Sequence, residues 1–249
     1  LPADDAYVAR MRSEGWLDRE GVAFLGERLS MATSVAGAFS VIGQIDNELQ
    51  ERIDRASPGD VIEVGEGCYW PIVIDKPNLT LVATNGPARC VIDGRGLGRC
   101  IIVTANGTGT VIDGFGIVNG LAVVPEEGDP GGGVLDRSRS ATLANCVVEN
   151  CEARNGVDGQ YSAHGGAAAN IAMATNCVFR NNRALHGGAL YVSDCDLELV
   201  DCVFEENAAL GVGGAVYCDS GRRCRILRCR FTGNTGSNNG GAVRASGEI

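Results

Sequence analysis

The stretch Gly187-Gly188-Ala189-Leu190-Tyr191-Val192, followed by Cys202-Val203-Phe204, decides the fold, because both pieces return along the chain at short and regular intervals. The cysteine motif reads Cys146-Val147-Val148, Cys177-Val178-Phe179, Cys202-Val203-Phe204 and Cys229-Arg230-Phe231, and the Gly-Gly-Ala step returns at residues 165–167, 187–189, 213–215 and 240–242. The cysteine spacings of 31, 25 and 27 residues are too short for a domain. Each copy is therefore one supersecondary unit that stacks on its neighbours.

Within a unit, apolar residues alternate with polar ones. Around Cys202, apolar side chains stand at Leu197 and Leu199, then at Cys202 and Phe204, and the phase slips across residues 200–201. Period two indicates a strand, and the slip indicates a corner. Asparagines, which tolerate unusual backbone angles, mark two corner columns: Asn145 and Asn176 in the first, and Asn182, Asn207 and Asn234 in the second. Three short strands per turn predict an all-β, parallel β-helix solenoid.

Two sets of motifs resemble known proteins. GGALYV with CVFEEN, and GGAVYC with CRFTGN, resemble the Gly-Gly-Ala and Phe-x-x-Asn repeats of polymorphic outer membrane proteins. Upstream, LQERIDRASPGDVIEV, IVIDKPNLTLVA, CVIDGRG and TVIDGFGIVNG resemble the opening coils of right-handed parallel β-helix proteins of the pectate-lyase-like superfamily. The resemblance covers residues 45–249 and implies a right-handed helix and an extracellular or cell-surface location. That class includes lyases, hydrolases, epimerases and non-catalytic adhesins, so no single activity follows.

The N-terminal part differs from the repeats. Ile45, Leu49 and Ile53 fall four apart, which predicts a helix over residues 46–56, and Ser57-Pro58-Gly59-Asp60 ends it. We expect residues 1–60 to form a helical segment and a cap that covers the core and the unpaired edge of the first coil, and residues 61–249 to form the β-helix. The chain stops within the coil that begins at Gly240, and we expect further coils to follow.

The composition narrows the classes of binding partner. A formal net charge of −10 argues against nucleic acid and anionic membranes. No run of about 18 apolar residues predicts a transmembrane helix. We expect a monomer whose partner is a polysaccharide or a cell-surface glycan.

The eleven cysteines permit more than one interpretation. Cys146, Cys177, Cys202 and Cys229 share one repeat position and should point inward from successive coils as a buried thiol ladder, because side chains in register have parallel Cα–Cβ vectors that do not suit a disulfide. A second group of three lies near corners in adjacent coils, where a bridge remains open: Cys195, Cys218 and Cys224. The sequence contains no Cys-x-x-Cys pair, the spacing that would indicate a zinc site.

Two oversized loops at one corner predict the first candidate site. The loops 121–130 and 152–163 should stand side by side, and His164 and His186, the only histidines, each precede a Gly-Gly pair in consecutive coils. We assign candidate catalytic roles to His164, His186 and Asp158, a substrate contact to Tyr161, and a candidate calcium site to Glu126, Glu127 and Asp129. The alternative is that the acidic loops are only solvated and the histidines only fill turns.

A second candidate surface follows the third strand of each unit. Tyr191, Tyr217 and Arg244 should share one outward column. Aromatic faces at this spacing suit stacking on sugar rings, and the Arg244 guanidinium suits a carboxylate or hydroxyl. The alternative is that these are ordinary exposed strand residues.

Two functions remain. One is a non-catalytic surface module with a glycan-binding, adhesive or scaffold role. The other is a polysaccharide lyase or glycoside hydrolase that acts along the outer face. Lyases of the resembled class present a Lys or Arg base near acidic calcium ligands, and the only lysine here, Lys76, stands in a Lys-Pro step typical of a turn. This favours the non-catalytic module, with no cofactor except a possible calcium ion.

Overall fold

The computed structural model describes residues 48–124, 130–155, 163–193, 195–219, 221–238 and 240–247. Its strands form a parallel β-solenoid of three seven-stranded sheets, which we name A, B and C, and a fourth sheet, D, of five short strands. The strand pairings of the described residues are parallel and in register, as a coil stack requires. The predicted all-β parallel solenoid is confirmed.

The strands are numbered in chain order. Sheet A contains β1 (Val61–Val64), β4 (Thr80–Ala83), β7 (Val111–Asp113), β11 (Thr142–Ala144), β15 (Met173–Thr175), β19 (Leu197–Val200) and β23 (Cys224–Leu227). Sheet B contains β2 (Gly67–Tyr69), β5 (Cys90–Asp93), β8 (Gly116–Val118), β12 (Val147–Glu149), β16 (Val178–Arg180), β20 (Val203–Glu205) and β24 (Arg230–Thr232). Sheet C contains β3 (Ile72–Ile74), β6 (Ile101–Val103), β10 (Val134–Asp136), β14 (Ala168–Ala169), β18 (Leu190–Val192), β22 (Val216–Cys218) and β26 (Val243–Ala245). Sheet D contains β9 (Leu121–Val124), β13 (Glu152–Asn155), β17 (Arg183–Ala184), β21 (Ala208–Ala209) and β25 (Thr235–Gly236).

A coil runs from sheet A through sheet B to sheet C, and we number the coils 1 to 7 by their sheet A strands. From coil 3 onward a short sheet D strand is added between sheets B and C, so these coils have four strands and not the predicted three. The predicted loops 121–130 and 152–163 begin as the strands β9 and β13, which pair in parallel. Continued pairing satisfies the backbone groups that a loop would expose.

Inward columns of like side chains fill the solenoid. Phe179 and Phe204 stack with ring centroids 4.9 Å apart, and Phe231 follows at 4.7 Å from Phe204. The predicted cysteine column is confirmed as inward: Cys146, Cys177 and Cys202 are buried and Cys229 is partly buried. None of the eleven cysteines, all of which lie in the described ranges, forms a disulfide.

The second asparagine column is an internal ladder. Asn182 Nδ2 donates to Asn207 Oδ1 at 3.0 Å, and Asn207 Nδ2 donates to Asn234 Oδ1 at 2.9 Å. Each of these amides also donates to a carbonyl of the preceding coil, at Val148 and Phe179. Polar groups buried in this way need such complete hydrogen bonding, and the ladder supplies it.

The first asparagine column marks the predicted corner between sheets A and B. Asn145, Asn176 and Asp201 have positive φ angles of 52°, 51° and 54°. Asn176 Nδ2 donates to Asn145 Oδ1 at 2.8 Å, which links the corner across coils. The phase slip at residues 200–201 is therefore a corner, as the sequence predicted, and its corner residue has a left-handed backbone conformation.

The two glycines of each repeat serve different purposes. Gly187 has a φ of 60°, a conformation that disfavours a side chain. A Cβ on Gly188 would lie 2.2 Å from the carbonyl oxygen of Gly214 in the next coil. Turn geometry requires the first glycine, and close packing between coils requires the second.

The helix α1 (Glu48–Arg55) lies within the predicted residues 46–56. Leu49 and Ile53 are buried in the core cluster that continues into the first coil. The Gln50 side chain pairs with the edge strand β3 as a strand would: its Nε2 donates to the Val73 carbonyl at 3.0 Å, and its Oε1 accepts from the Val73 N–H at 2.7 Å. Lys76 Nζ donates to carbonyls at the helix end, among them that of Ala56 at 2.7 Å. Among the described residues, no helix is long and apolar enough to span a membrane.

Candidate functional site

The structure brings the two predicted surfaces together. His164 and His186 form a parallel bridge in adjacent coils, and their rings stack with centroids 5.0 Å apart. The His164 ring also stacks on Tyr191 at 4.2 Å, and the His186 ring meets Tyr217 edge-on at 5.7 Å. Tyr191 and Tyr217 are 5.6 Å apart. Four rings that the sequence assigned to separate surfaces thus form one aromatic cluster.

Coil geometry explains this arrangement. Each histidine stands directly before a Gly-Gly pair at the entrance to sheet C, and each tyrosine is the outward residue of the sheet C strand. The register aligns Ala169 of coil 4 with Tyr191 of coil 5 and with Tyr217 of coil 6. Because Ala169 carries only a methyl group, the His164 ring has room to lie against Tyr191.

The two imidazoles are held differently. His186 Nδ1 accepts the Val212 N–H at 3.1 Å, so in the neutral ring the proton resides on Nε2. A Cβ on Gly211 would lie 2.3 Å from the same ring, so Gly211 provides the space that His186 occupies. His164 Nδ1 is buried and has no hydrogen-bond partner among the described residues.

Burial keeps the cluster uncharged at neutral pH. It lowers the pKa of His164 to about 4, with a further contribution from His186, and Asp219 offsets part of the shift. Burial also lowers the pKa of His186, again opposed by Asp219. The pKa of Tyr217 is raised by burial and by its hydrogen bond to Asp219. Both imidazoles are therefore neutral near pH 7.

Asp219 is a site residue that the sequence analysis missed. It follows Tyr217 by two residues, at the corner between sheets C and A, and its charge acts on both histidines. The sequence signal that could have found Asp219 is its position two residues after Tyr217, since residues two apart share a face of a strand. A corner interrupts that rule, so the signal was weak.

Access to the site differs along the column. The outward residues of sheet C run from Ile102 through Leu135 and Ala169 to Tyr191, and all four are buried although they lie outside the main core cluster. Exposure is found at both ends of this column: Val73 of coil 1 is partly exposed, and within the site exposure begins at coil 6. Tyr217 is partly exposed and its register partner Arg244 is exposed. The part of the site open to a ligand therefore lies in coils 6 and 7.

Five predicted residues lie outside the described part of the chain: Asp158, Tyr161, Glu126, Glu127 and Asp129. The calcium site and the roles of Asp158 and Tyr161 stay predictions. Within the described ranges, no group of three or more His, Cys, Asp or Glu side chains is arranged to hold a metal ion.

A polar groove on sheet B is a weaker candidate. It is lined by Arg180, Asn181, Glu205, Glu206, Thr232 and Gly233. Its charges already pair across coils: Arg180 with Glu149, and Arg230 with Glu205 at 2.6 Å. On sheet A, Arg225 pairs with Glu198 across coils in the same way, at 3.2 Å. Such ladders serve coil stacking and need no ligand.

The family comparison agrees with the architecture. A family model described as a right-handed beta helix region matches residues 98–248, which is more than half of the chain and includes the whole aromatic cluster. Searches against curated proteins and against solved structures gave no significant match.

Proposed function

The chain belongs to the right-handed β-helix family, and we propose that it is a non-catalytic surface module that binds a glycan at the aromatic cluster on the outer face of sheet C. One observation carries this proposal: His164, His186, Tyr191 and Tyr217 form a contiguous set of rings with centroids 4.2–5.7 Å apart. A β-helix core needs no such cluster on its outside.

The cluster has the properties of a stacking platform. Tyr191 and His164 are the more buried rings and support His186 and Tyr217, the rings of coils 5 and 6. Because burial keeps both imidazoles neutral near pH 7, the surface is apolar where a sugar ring would lie. Aromatic faces with fixed orientation provide contact area at little cost in side-chain entropy.

Charged groups flank the accessible end of the platform. The guanidinium of Arg244 is exposed beside Tyr217, and the carboxylate of Asp219 hydrogen-bonds to the Tyr217 hydroxyl. Together they offer donors and acceptors to sugar hydroxyls at the edge of the rings. Binding here suits an adhesive or scaffold role outside the cell, a location supported by the resemblance to polymorphic outer membrane protein repeats.

The proposal is tested by affinity electrophoresis of the protein through gels that contain a panel of neutral and acidic polysaccharides. We expect at least one polysaccharide to retard the wild type. Tyr217→Ala should weaken that retardation by about tenfold, since one aromatic contact contributes roughly 1–1.5 kcal/mol. Tyr217→Phe, which keeps the ring, should lose less.

Val203→Ala is the matched control, because Val203 is an outward residue of the same coil on sheet B. It should bind like the wild type. No retardation by any polysaccharide would refute glycan binding. Equal retardation of wild type and Tyr217→Ala would move the site away from sheet C.

A polysaccharide lyase or glycoside hydrolase is the second candidate. It is favoured by one observation, the Nδ1 atom of the neutral His164 imidazole, which has no hydrogen-bond partner among the described residues and can accept a proton. The same polysaccharides are incubated with the protein and assayed for new unsaturated or reducing ends. Turnover that His164→Ala abolishes without loss of fold would favour catalysis over the binding module.

A further inference from the structure

Three thiols meet at the corner where the chain passes from sheet C to sheet A. Cys218 ends β22, Cys224 begins β23, and both are buried. Their thiol groups are hydrogen-bonded to each other, and Cys195 of the coil below is close enough to act electrostatically on Cys218. The corner segment between them, residues 219–223, includes Gly221, Arg222 and Arg223, which are all exposed.

We propose that Cys218 and Cys224 form a disulfide under oxidising conditions and that this bridge pins the corner of coil 6. The geometry differs from that of the cysteine column. Column cysteines point inward from parallel strands in register, whereas Cys218 and Cys224 point into the core from two different sheets at either side of one turn. Converging side chains bring two sulfurs together with less backbone movement than parallel ones.

The hydrogen bonds at the corner distinguish the three thiols. The Cys195 thiol is engaged with main-chain carbonyls, with its Sγ 3.2 Å from the Asn170 oxygen and 3.7 Å from the Ile171 oxygen. Among the described contacts, the Cys218 thiol has no hydrogen bond to a main-chain carbonyl. Its hydrogen bond is with the Cys224 thiol. Arg223 and Arg225 flank Cys224 in the sequence, and neighbouring cations favour the thiolate, so Cys224 is the better nucleophile in the folding chain.

The oxidant is a low-molecular-weight disulfide such as oxidised glutathione. The Cys224 thiolate attacks one of its sulfurs, and the first glutathione leaves as a thiolate. The Cys218 thiolate then attacks Sγ of Cys224 in the mixed disulfide, and the second glutathione leaves. Both protons lost by the cysteines end on the two released thiols, so two protein thiols are oxidised while one disulfide is reduced. Because both thiols are buried in the folded protein, this exchange takes place during folding, before the two cysteines are packed into the core.

Cys100 and Cys151 are also hydrogen-bonded, but the chain continues in coils on both sides of them. The pair at the corner differs because only an exposed turn separates its members. The bridge would also hold Tyr217 and Asp219, the neighbours of Cys218, in place. Formation of the bridge does not depend on the glycan-binding proposal, and its test needs no glycan.

The test is refolding of the full chain in a glutathione redox buffer, followed by alkylation of free thiols in denaturant, trypsin digestion and mass spectrometry without reductant. Arg222 and Arg223 let trypsin separate Cys218 from Cys224. A second digestion with endoproteinases Asp-N and Glu-C cuts at Asp196, Asp201 and Glu206 and separates Cys195 and Cys202 from Cys218, so the linked peptide pair is then diagnostic. We expect Cys218 linked to Cys224, Cys195 alkylated, and a melting temperature several degrees above that of the reduced protein. Cys195→Ser should keep the link.

Cys218→Ser should lose both the link and the difference in melting temperature between oxidised and reduced protein. If this variant does not fold, the peptide map of the wild type decides alone. The proposal is overturned if both cysteines are recovered alkylated, if Cys195 replaces either of them in the link, or if the linked protein melts below the reduced one.

Discussion

At the residue scale, the glycines of the repeat say more about how the coils pack than any polar residue does. Gly166, Gly188 and Gly214 are the second members of their pairs, and a Cβ on each would lie within about 2.0–2.3 Å of a carbonyl oxygen in the next coil. Contacts this short leave no room for a methyl group. Close coil stacking at this corner therefore selects glycine independently of backbone angle.

We predict that Gly188→Ala destabilises the protein by about 3 kcal/mol, because the new methyl overlaps backbone atoms of Gly214 and Ala208 that cannot move independently. Urea unfolding followed by circular dichroism measures the loss. Gly65→Ala is the control, since a Cβ there meets no atom within 4 Å, and it should change the stability little. Equal midpoints for the two variants would show that the coils can separate at this corner.

At the element scale, the helix α1 acts as a substitute strand. Coil 1 has an edge with no coil beneath it in the described residues, and an exposed edge invites pairing with other chains. Gln50 satisfies both backbone groups of Val73, and Arg52 Nη2 donates to the Glu63 carbonyl at 2.6 Å. The helix thus covers the core with Leu49 and Ile53 and the edge with polar side chains.

We predict that Gln50→Ala lowers the stability by about 1–2 kcal/mol, because the partly buried Val73 N–H and carbonyl lose their partners. Amide hydrogen exchange should speed up at Val73 in particular. Glu51→Ala is the matched control in the same helix. Glu51 is exposed and pairs only with Arg55 in the contacts described, so its loss should change the stability by only about 0.5 kcal/mol or less. Unchanged exchange at Val73 would contradict the edge-covering role.

At the scale of the whole molecule, acid weakens the fold through the aromatic cluster. The folded pKa of His164, about 4, lies below the value of about 6.5 expected for the unfolded chain. Between these values the unfolded state holds more protons, so the stability falls as the pH falls from about 6.5 to 4. Asp201, whose pKa the Arg228 guanidinium lowers, loses its contribution only at lower pH.

We predict that the free energy of unfolding decreases by up to about 2.5 kcal/mol between pH 7 and pH 4.5 through His164, with partial exposure of the ring reducing this value. His164→Asn removes the titrating group and should flatten the profile in that window. Urea titrations of both proteins at several pH values make the measurement. Parallel profiles for wild type and variant would show that His164 ionises freely in the folded protein.

Repetition made the architecture predictable. The cysteine motif and the Gly-Gly-Ala step each mark the same position in every coil, so a wrong assignment in one copy is corrected by the other copies. The predicted corner at Asp201 and the inward side chains of Cys202 and Phe204 are found where expected. Sheet D was not predicted, because β17 and β21 are only two residues long and alternation cannot register in so short a run.

The sequence by itself determined the class of fold, the inward and outward columns and the positions of the corners, because each depends on local periodicity and on repeated residue types. Only the tertiary structure joined His164 and His186 with Tyr191 and Tyr217, added Asp219, and buried the outward column from Ile102 to Tyr191. These relations depend on how far a side chain leans across to the neighbouring coil and on what covers a face. Periodicity along one chain says which face a residue lies on, but it does not measure distances between residues of different coils.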